Sequence, residues 1–299
     1  MIQDTSNNRN NTSDGLSFPV TEQSGLLDFL LQHITKLSRN SVKSLLTRKV
    51  VFVDGKRVTK HDYPLKPGQT VHVAKSSGSV EKNMPVILYE DQDLLVINKP
   101  AGLLSIATDT EKDMTAYHLM TDYVRRSHPK NRLFIVHRLD RETSGVLLFA
   151  KNERMKQALQ DNWEALVNER RYTAVTEGLF DKKEGTVRSW LKQTKTLLVY
   201  SGKAGDGLEA VTTYRVIRES AEYSLVDILL ETGRKNQIRV HMKELGHPVV
   251  GDTKYGAKTN PFKRLGLHAN VLALSKPFSN EPMRFEAPVP GRFMTLFQR

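Results

Sequence analysis

The first regular pattern along the chain begins at Ser24. In GLLDFLLQHI, the apolar residues Leu26, Leu27, Leu30, Leu31 and Ile34 recur at the spacing of one helical face, and SRNSVKSLLTRK repeats the stripe through Val42, Leu45 and Leu46 behind a Ser38 cap. In VVFVDGKRV the period changes. Asp54-Gly55 stands there between two β-branched runs, the signature of a two-residue hairpin turn. PLKPGQTVHVA adds a turn and a last strand, so residues 24–74 are predicted to hold two short helices and a small sheet. The preceding residues 1–22, rich in Asn, Ser, Thr and Asp, read as a disordered lead, and the polar stretch KSSGSVEKN (75–83) reads as a flexible linker.

Beyond the linker, VILYEDQDLLVINKPAGLLS gives two strand-like runs around a polar turn. YHLMTDYVRRS and NERMKQALQDNWEAL carry helical stripes, whereas RYTAVTEGLF, AVTTYRVIRES and YSLVDILLE read as strands. Strands in succession with only intermittent helices predict an α+β domain over residues 84–299, built on a mixed, largely antiparallel sheet with flanking helices.

Composition narrows the partners. With 45 Lys+Arg against 33 Asp+Glu, the formal charge of +12 points to a polyanion, nucleic acid before membrane. The chain has no cysteine, which removes disulfides, zinc-thiolate sites and a thiol nucleophile. No apolar stretch approaches bilayer length, and the N-terminus lacks a signal-peptide core, so a cytoplasmic protein is expected.

Three segments could carry chemistry. HRLDRETSG (137–145) sets Asp140 beside Arg138 and Arg141, just before the apolar VLLFAK. A nearby cation would favour an ionised carboxylate there, fit to act as nucleophile or base, but a structural ion pair at the start of a strand is the more ordinary reading of the segment alone. ETGRKNQIRVHMKELGHPVVGDTKYG contains QIRVHM, whose alternation predicts a strand with Gln237, Arg239 and His241 on one face. Gly246 then reads as a helix stop. NERRYTAV places Tyr172 after two arginines, where core packing is the ordinary reading.

Together these segments resemble pseudouridine synthases of the RluA type, close in arrangement to the ribosomal large-subunit RluC and RluD members. YEDQDLLVINKPAGLLS, HRLDRETSGVLLFAK, RRYTAV and TGRKNQIRVHMKELGHPVVGDTKYG occur in the family's order from about Val86 to Pro290. The resemblance implies that Asp140 is the catalytic carboxylate, that Arg239 pairs with it as a bidentate arginine can, and that Tyr172 lies against the uracil ring. It implies further that Arg138 contacts RNA and fills the gap left by the extruded base, with His137, Arg141 and Gln237 as additional RNA contacts and Leu267 as an apolar neighbour of the tyrosine. Asn236 departs from the family pattern, which has histidine there. Residues 24–74 resemble the small RNA-binding module named after a ribosomal small-subunit protein (the S-four fold). In that reading Arg39, Lys43, Arg48 and Lys49 ride on RNA phosphates.

The implied reaction is an isomerisation of uridine to pseudouridine, which needs no cofactor and no metal. The implied partner is structured RNA, ribosomal before transfer RNA, met by a monomer. A target base inside folded RNA must leave its stack, which calls for a basic cleft with an aromatic wall. Two other readings stand beside this one. A non-catalytic RNA-binding or ribosome-assembly factor would share the basic surface but would not need Asp140, Tyr172 and Arg239 together. A glycosidase would need a second positioned acid, and Glu142, two residues from Asp140, does not pair with it in an extended segment.

Overall fold

The computed structural model of the chain describes residues 15–35, 37, 39–47, 50–74, 84–108, 111 and 114–298. Residues 1–14 of the polar lead, the Ser38 cap, Arg48, Lys49 and the 75–83 linker lie outside the described residues. The chain divides into two compact units, Met1–Met84 and Pro85–Arg299.

The first unit contains β1 (Gly15–Pro19), β2 (Ser24–Gly25), α1 (Leu26–His33), α2 (Arg39–Thr47), β3 (Val51–Val53), β4 (Lys56–Arg57), β5 (Pro64–Leu65) and β6 (Thr70–Ala74). Four strands pair in the order β1-β6-β3-β4, and β2 pairs with β5. The α1 residues Leu26 and Leu30 and the α2 residues Val42 and Leu46 are buried against Val51, Leu65 and Val71 of the strands. Asp54 and Gly55 both adopt left-handed backbone (φ 49° and 76°), as a two-residue turn matching the twist of its strands requires. The disordered lead expected over residues 1–22 does not hold for residues 15–20. Strand β1 lies inside it and pairs with β6 from Gly15↔Ala74 to Pro19↔Thr70. Its cause is a local alternation in which Phe18 packs against the core and Val20 is buried, a signal diluted by the surrounding Asn and Ser.

The second unit contains β7 (Val86–Glu90), β8 (Leu94–Lys99), α3 (Ala116–Ser127), β9 (Phe134–Ile135), β10 (Ser144–Ala150), α4 (Glu153–Asp161), α5 (Trp163–Leu166), β11 (Val167–Glu177), β12 (Glu184–Gln193), β13 (Val199–Gly202), β14 (Leu208–Glu219), β15 (Tyr223–Leu230), α6 (Gln237–Glu244), β16 (Leu267–Ser275), β17 (Pro282–Glu286) and α7 (Gly291–Met294). Thr115 caps α3 by accepting from His118 N at 3.1 Å, and Asn152 caps α4 by accepting from Met155 N at 2.8 Å. The sheet runs β13-β12-β14-β15-β11-β16-β10-β8-β7, with β9 on β10 and β17 on β16. This is the α+β class expected from the sequence. Every neighbouring pair is antiparallel except β10 and β16, which run parallel for two residues, Ser144↔His268 and Gly145↔Ala269. After that point β10 takes β9 as its partner and β16 takes β17, so the sheet opens into two halves. Gly145, at φ 119°, permits the pinch: a β-carbon there would lie 2.0 Å from the Ala269 carbonyl oxygen.

One element differs in type from its sequence expectation. QIRVHM forms helix α6, not a strand. Asn236 turns the chain through left-handed backbone (φ 54°), after which the helix buries Ile238 and Met242 in the core and sets Gln237 and His241 against Thr212. Spacings of four residues decide the packing, and two β-branched residues do not override them. Gly246, at φ 86°, follows the helix as its stop. Among the described residues no helix is long and apolar enough to cross a membrane.

Candidate functional site

The pinch between the sheet halves is where the candidate residues meet. Asp140 lies on the turn entering β10, whose first strand residues form the parallel pair with β16. The carbonyl of Asp140 closes the turn by accepting from Thr143 N at 3.2 Å. Both chain neighbours of the aspartate are pinned. The Ser105 hydroxyl donates to Leu139 O at 2.7 Å and accepts from Leu139 N at 3.0 Å. On the other side the Lys99 ammonium donates to Arg141 O at 3.0 Å, as well as to Leu103 O at 2.7 Å and Pro100 O at 3.0 Å. Lys99 is fully buried, and burial pushes it down to about 7 against the pull of Glu142 and Asp140. The KPAGLLS stretch is thus a clamp on the backbone of the Asp140 turn.

Arg239 reaches Asp140 from α6, but not by the bidentate pairing expected. Its Nη1 lies 3.4 Å from Asp140 Oδ2, a single long contact. The fork goes to Asp252, with Nε–Oδ2 at 2.6 Å and Nη2–Oδ1 at 2.7 Å. The Asp252 side chain is 1% exposed and that of Asp140 26%, which explains the preference: a buried carboxylate requires a full partner, whereas a partly solvated one does not. Asn236 accepts from Arg239 Nη1 at 3.2 Å and donates to the Tyr255 hydroxyl at 2.9 Å, and the guanidinium lies 4.9 Å from the Tyr255 ring centroid. Burial alone would lower Arg239, but the bonds to Asp252 and its charge outweigh it and hold the arginine above its ordinary range.

A cleft of about 230 Å³ opens over these groups, lined among others by Arg138, Asp140, Tyr172, Arg234, Arg239 and Leu267. It is smaller than the ~300–1,000 Å³ of drug-sized pockets and suited to a single ring with its attached sugar. Tyr172, on β11, shares a packing cluster with buried Leu267 at the start of β16, so the two form an apolar wall. Burial pushes the Tyr172 phenol up to about 12; Arg170 opposes the shift and Asp140 adds to it. Arg138 is exposed at the rim.

Three expected RNA contacts are placed elsewhere or are already engaged. His137 does not line the cleft: its Nε2 accepts from Leu148 N at 3.0 Å, its ring stacks on Trp163, and burial pushes it down to about 4. The Arg141 side chain is exposed outside the cleft lining, and its carbonyl serves the Lys99 clamp. Gln237 borders the cleft, yet its amide is saturated within the protein. Its oxygen accepts from Thr232 Oγ1 and Arg234 N, and its nitrogen donates to Val211 O and Thr212 Oγ1. Arg39 and Lys43 lie on α2 of the first unit. Sequence reasoning missed Lys99, Ser105, Asp252 and Tyr255. The available signals were a lysine closing the apolar run LLVINK and an acid in the otherwise basic and apolar PVVGDTKYG.

With this geometry in place, comparisons with known proteins are direct. Residues 93–244 match the family model described as RNA pseudouridylate synthase. Over 282 residues, covering 90% of this chain and 92% of the relative, the chain is 35% identical to the Bacillus subtilis (strain 168) protein described as "Uncharacterized RNA pseudouridine synthase YlyB". It is 30% identical over 280 residues to "Ribosomal large subunit pseudouridine synthase D" of Pasteurella multocida (strain Pm70), covering 87% of this chain and 86% of that one. Among solved structures, "Human RNA Pseudouridylate Synthase Domain Containing 4" aligns with a TM-score of 0.58 at 25% identity, over 70% of this chain and 90% of that one.

Proposed function

The chain belongs to the RNA pseudouridylate synthase family, and from that premise we propose that it isomerises specific uridines of large-subunit ribosomal RNA with Asp140 as the reacting carboxylate. The observation that carries the residue assignment is the single 3.4 Å contact between Asp140 and Arg239 at the floor of the cleft. Because Asp252 occupies the fork of Arg239, the arginine is fixed in place and Asp140 keeps most of its lone pairs free to face a sugar or a base. The clamp through Lys99 and Ser105 holds that carboxylate still, which is what reaction at a fixed atom requires.

In the isomerisation the bond between the ribose carbon and uracil N1 breaks, the ring turns, and a new bond forms to ring C5. N1 gains a proton and C5 loses one, so the sum is unchanged and no redox partner enters. Asp140 acts at the sugar end of the broken bond, either as nucleophile or by taking a ribose proton. Tyr172, whose phenol is neutral at working pH and is pushed further up by burial to about 12, lies against the freed ring and relays the C5 proton by giving up its hydroxyl proton as it accepts one. Arg138 at the rim contacts the RNA and fills the space of the extruded base. Arg39 and Lys43 on α2, with Arg48 and Lys49, give the first unit its S-four-like hold on RNA phosphates. The enzyme acts as a cytoplasmic monomer.

The choice of ribosomal RNA rests on the relative named for the large subunit. It is tested by incubating the protein with unmodified large-subunit ribosomal RNA and with transfer RNA transcripts, then quantifying pseudouridine by nucleoside chromatography. Product in the ribosomal RNA alone is expected. Product confined to transfer RNA would reassign the substrate and leave the chemistry standing.

A further inference from the structure

Resting on the reading that this chain acts on RNA, we infer that the turn between β12 and β13, residues 194–198, is an RNA-docking surface that receives the nucleotides flanking the target uridine. The observation that starts the argument is Leu197. It is 59% exposed, belongs to no packing cluster and adopts left-handed backbone at φ 63°. A leucine loses stability in that conformation relative to glycine, and an exposed apolar side chain gains nothing from folding. Two local penalties without an intramolecular return indicate a role outside the fold. Phe278 makes a useful contrast. It is 60% exposed at φ 71°, but the Arg154 guanidinium sits 4.0 Å from its ring centroid, so that side chain already has its partner.

The surroundings of Leu197 specify the chemistry of the partner. Lys254 Nζ donates to Leu197 O at 3.0 Å, which sets one ammonium beside the turn, and Lys195 lies two residues before the leucine. Nearby Arg188 and Lys192 are neutralised by Glu209 and Asp206, whereas Lys195 and Lys254 join no ion pair among the described residues. An apolar tip with the Lys254 ammonium beside it and Lys195 on the same turn, neither in an ion pair, fits a phosphate backbone with an unstacked base, a pattern by which apolar wedges and lysines engage nucleic acid.

Position favours the target's own flank over a remote segment. The turn is closed by Thr194 N donating to Leu198 O at 2.8 Å and Leu197 N donating to Thr194 O at 3.0 Å, so it is a defined shape. Directly behind it, Val199 N donates to the Tyr255 hydroxyl at 3.2 Å, the same hydroxyl that accepts from Asn236 and whose ring lies under Arg239. Arg234, on the cleft lining, donates to Glu209 O on β14, the strand beside β12. The turn is therefore joined through the Val199–Tyr255 hydrogen bond to the residues that support Arg239.

The test uses the full chain with Leu197→Gly, Leu197→Asn and the double variant Lys195→Ala/Lys254→Ala. RNA affinity is measured across a salt series, and tritium release from C5-labelled uridine is measured at saturating RNA. Glycine and asparagine both tolerate the left-handed backbone, so both leucine variants are expected to melt no lower than wild type while binding RNA about five-fold more weakly, the lower end of what one base contact contributes. The lysine pair is expected to flatten the slope of log affinity against log salt by about 1.4, or about 0.7 for each single-strand phosphate contact. Release at saturating RNA stays at the wild-type rate. Unchanged affinity and slope in all variants overturn the inference. Loss of release at saturation overturns it as well, by placing the turn in the chemistry. Failure of the wild type itself to release tritium counts against the underlying reading, and binding, measured separately, does not depend on it.

Discussion

Two carboxylates share Arg239, and the molecule holds them in opposite ways. Asp252 is sealed, takes both prongs of the guanidinium at 2.6 and 2.7 Å, and anchors the segment after α6. Asp140 is a quarter exposed and touches the same arginine once, at 3.4 Å, while its own position is fixed through the backbone on either side. One acid is a structural counterion; the other is a free functional group on a rigid mount. A charge can be positioned by its backbone without its side chain being consumed in the process, which suits the reacting role proposed for Asp140.

That contrast breaks first at Asp252. Asp252→Asn removes the buried guanidinium's main counterion, leaving only the long contact to Asp140, and is expected to lower stability by up to roughly 3–5 kcal/mol, read by denaturant unfolding, with turnover falling as Arg239 shifts. A variant as stable as wild type would remove the structural half of the comparison. Tyr172→Phe keeps the aromatic wall but removes the hydroxyl. Turnover is expected to fall about 10²–10⁴-fold with RNA binding retained, and retained turnover would reduce Tyr172 to stacking alone. Lys99→Met strips one ammonium from three backbone carbonyls and is expected to cost about 1–3 kcal/mol of stability together with a loss of turnover, since the Asp140 turn loosens. Full turnover at lowered stability would show that the clamp does not serve the aspartate.

Acid acts away from the cleft lining. Burial pushes His241 and His268 down to about 4 from an ordinary 6.5. Between those values the unfolded chain holds more protons than the folded one, so stability present above pH 6.5 is lost as pH falls toward 4. The slope is at most about 1.4 kcal/mol per pH unit for each histidine. Melting curves from pH 7 to 5 with the His268→Gln variant test this, and an unchanged pH slope in that variant would contradict it. The smallest stability effect is reserved for Asp140→Asn, expected within about 0.5 kcal/mol of wild type because the side chain makes only one weak contact.

Much of this was legible in the sequence, for reasons that differ by residue. In HRLDRETSGVLLFAK the charged turn before an apolar run left Asp140 open to a structural ion pair, and the resemblance of four ordered motifs to the family singled it out; the apolar run is the fully buried β10. Tyr172, Leu267 and Arg239 fall on the cleft as expected. QIRVHM was misread because six residues with two β-branched members satisfy both periods, and only the left-handed Asn236 with burial on both sides decides for a helix. The fork of Arg239 went to Asp252 because burial, not sequence proximity to the reaction, sets which acid needs a full partner. His137 and Gln237 looked like surface polar residues beside the motif, but each satisfies backbone or side-chain groups inside the protein. Lys99 was passed over because a lysine at the end of an apolar strand ordinarily reaches solvent, and the carbonyls that receive it come from a turn 42 residues further on as well as from its own loop. Such long-range satisfactions have no local signature.

The most direct measurement is tritium release from RNA labelled at uridine C5, comparing wild type with Asp140→Asn after both have been shown to fold and to bind RNA equally. The account predicts release by the wild type and none by the variant, which is nearly isosteric and lacks only the charge. Release by both at similar rates would contradict the assignment of Asp140 as the reacting carboxylate.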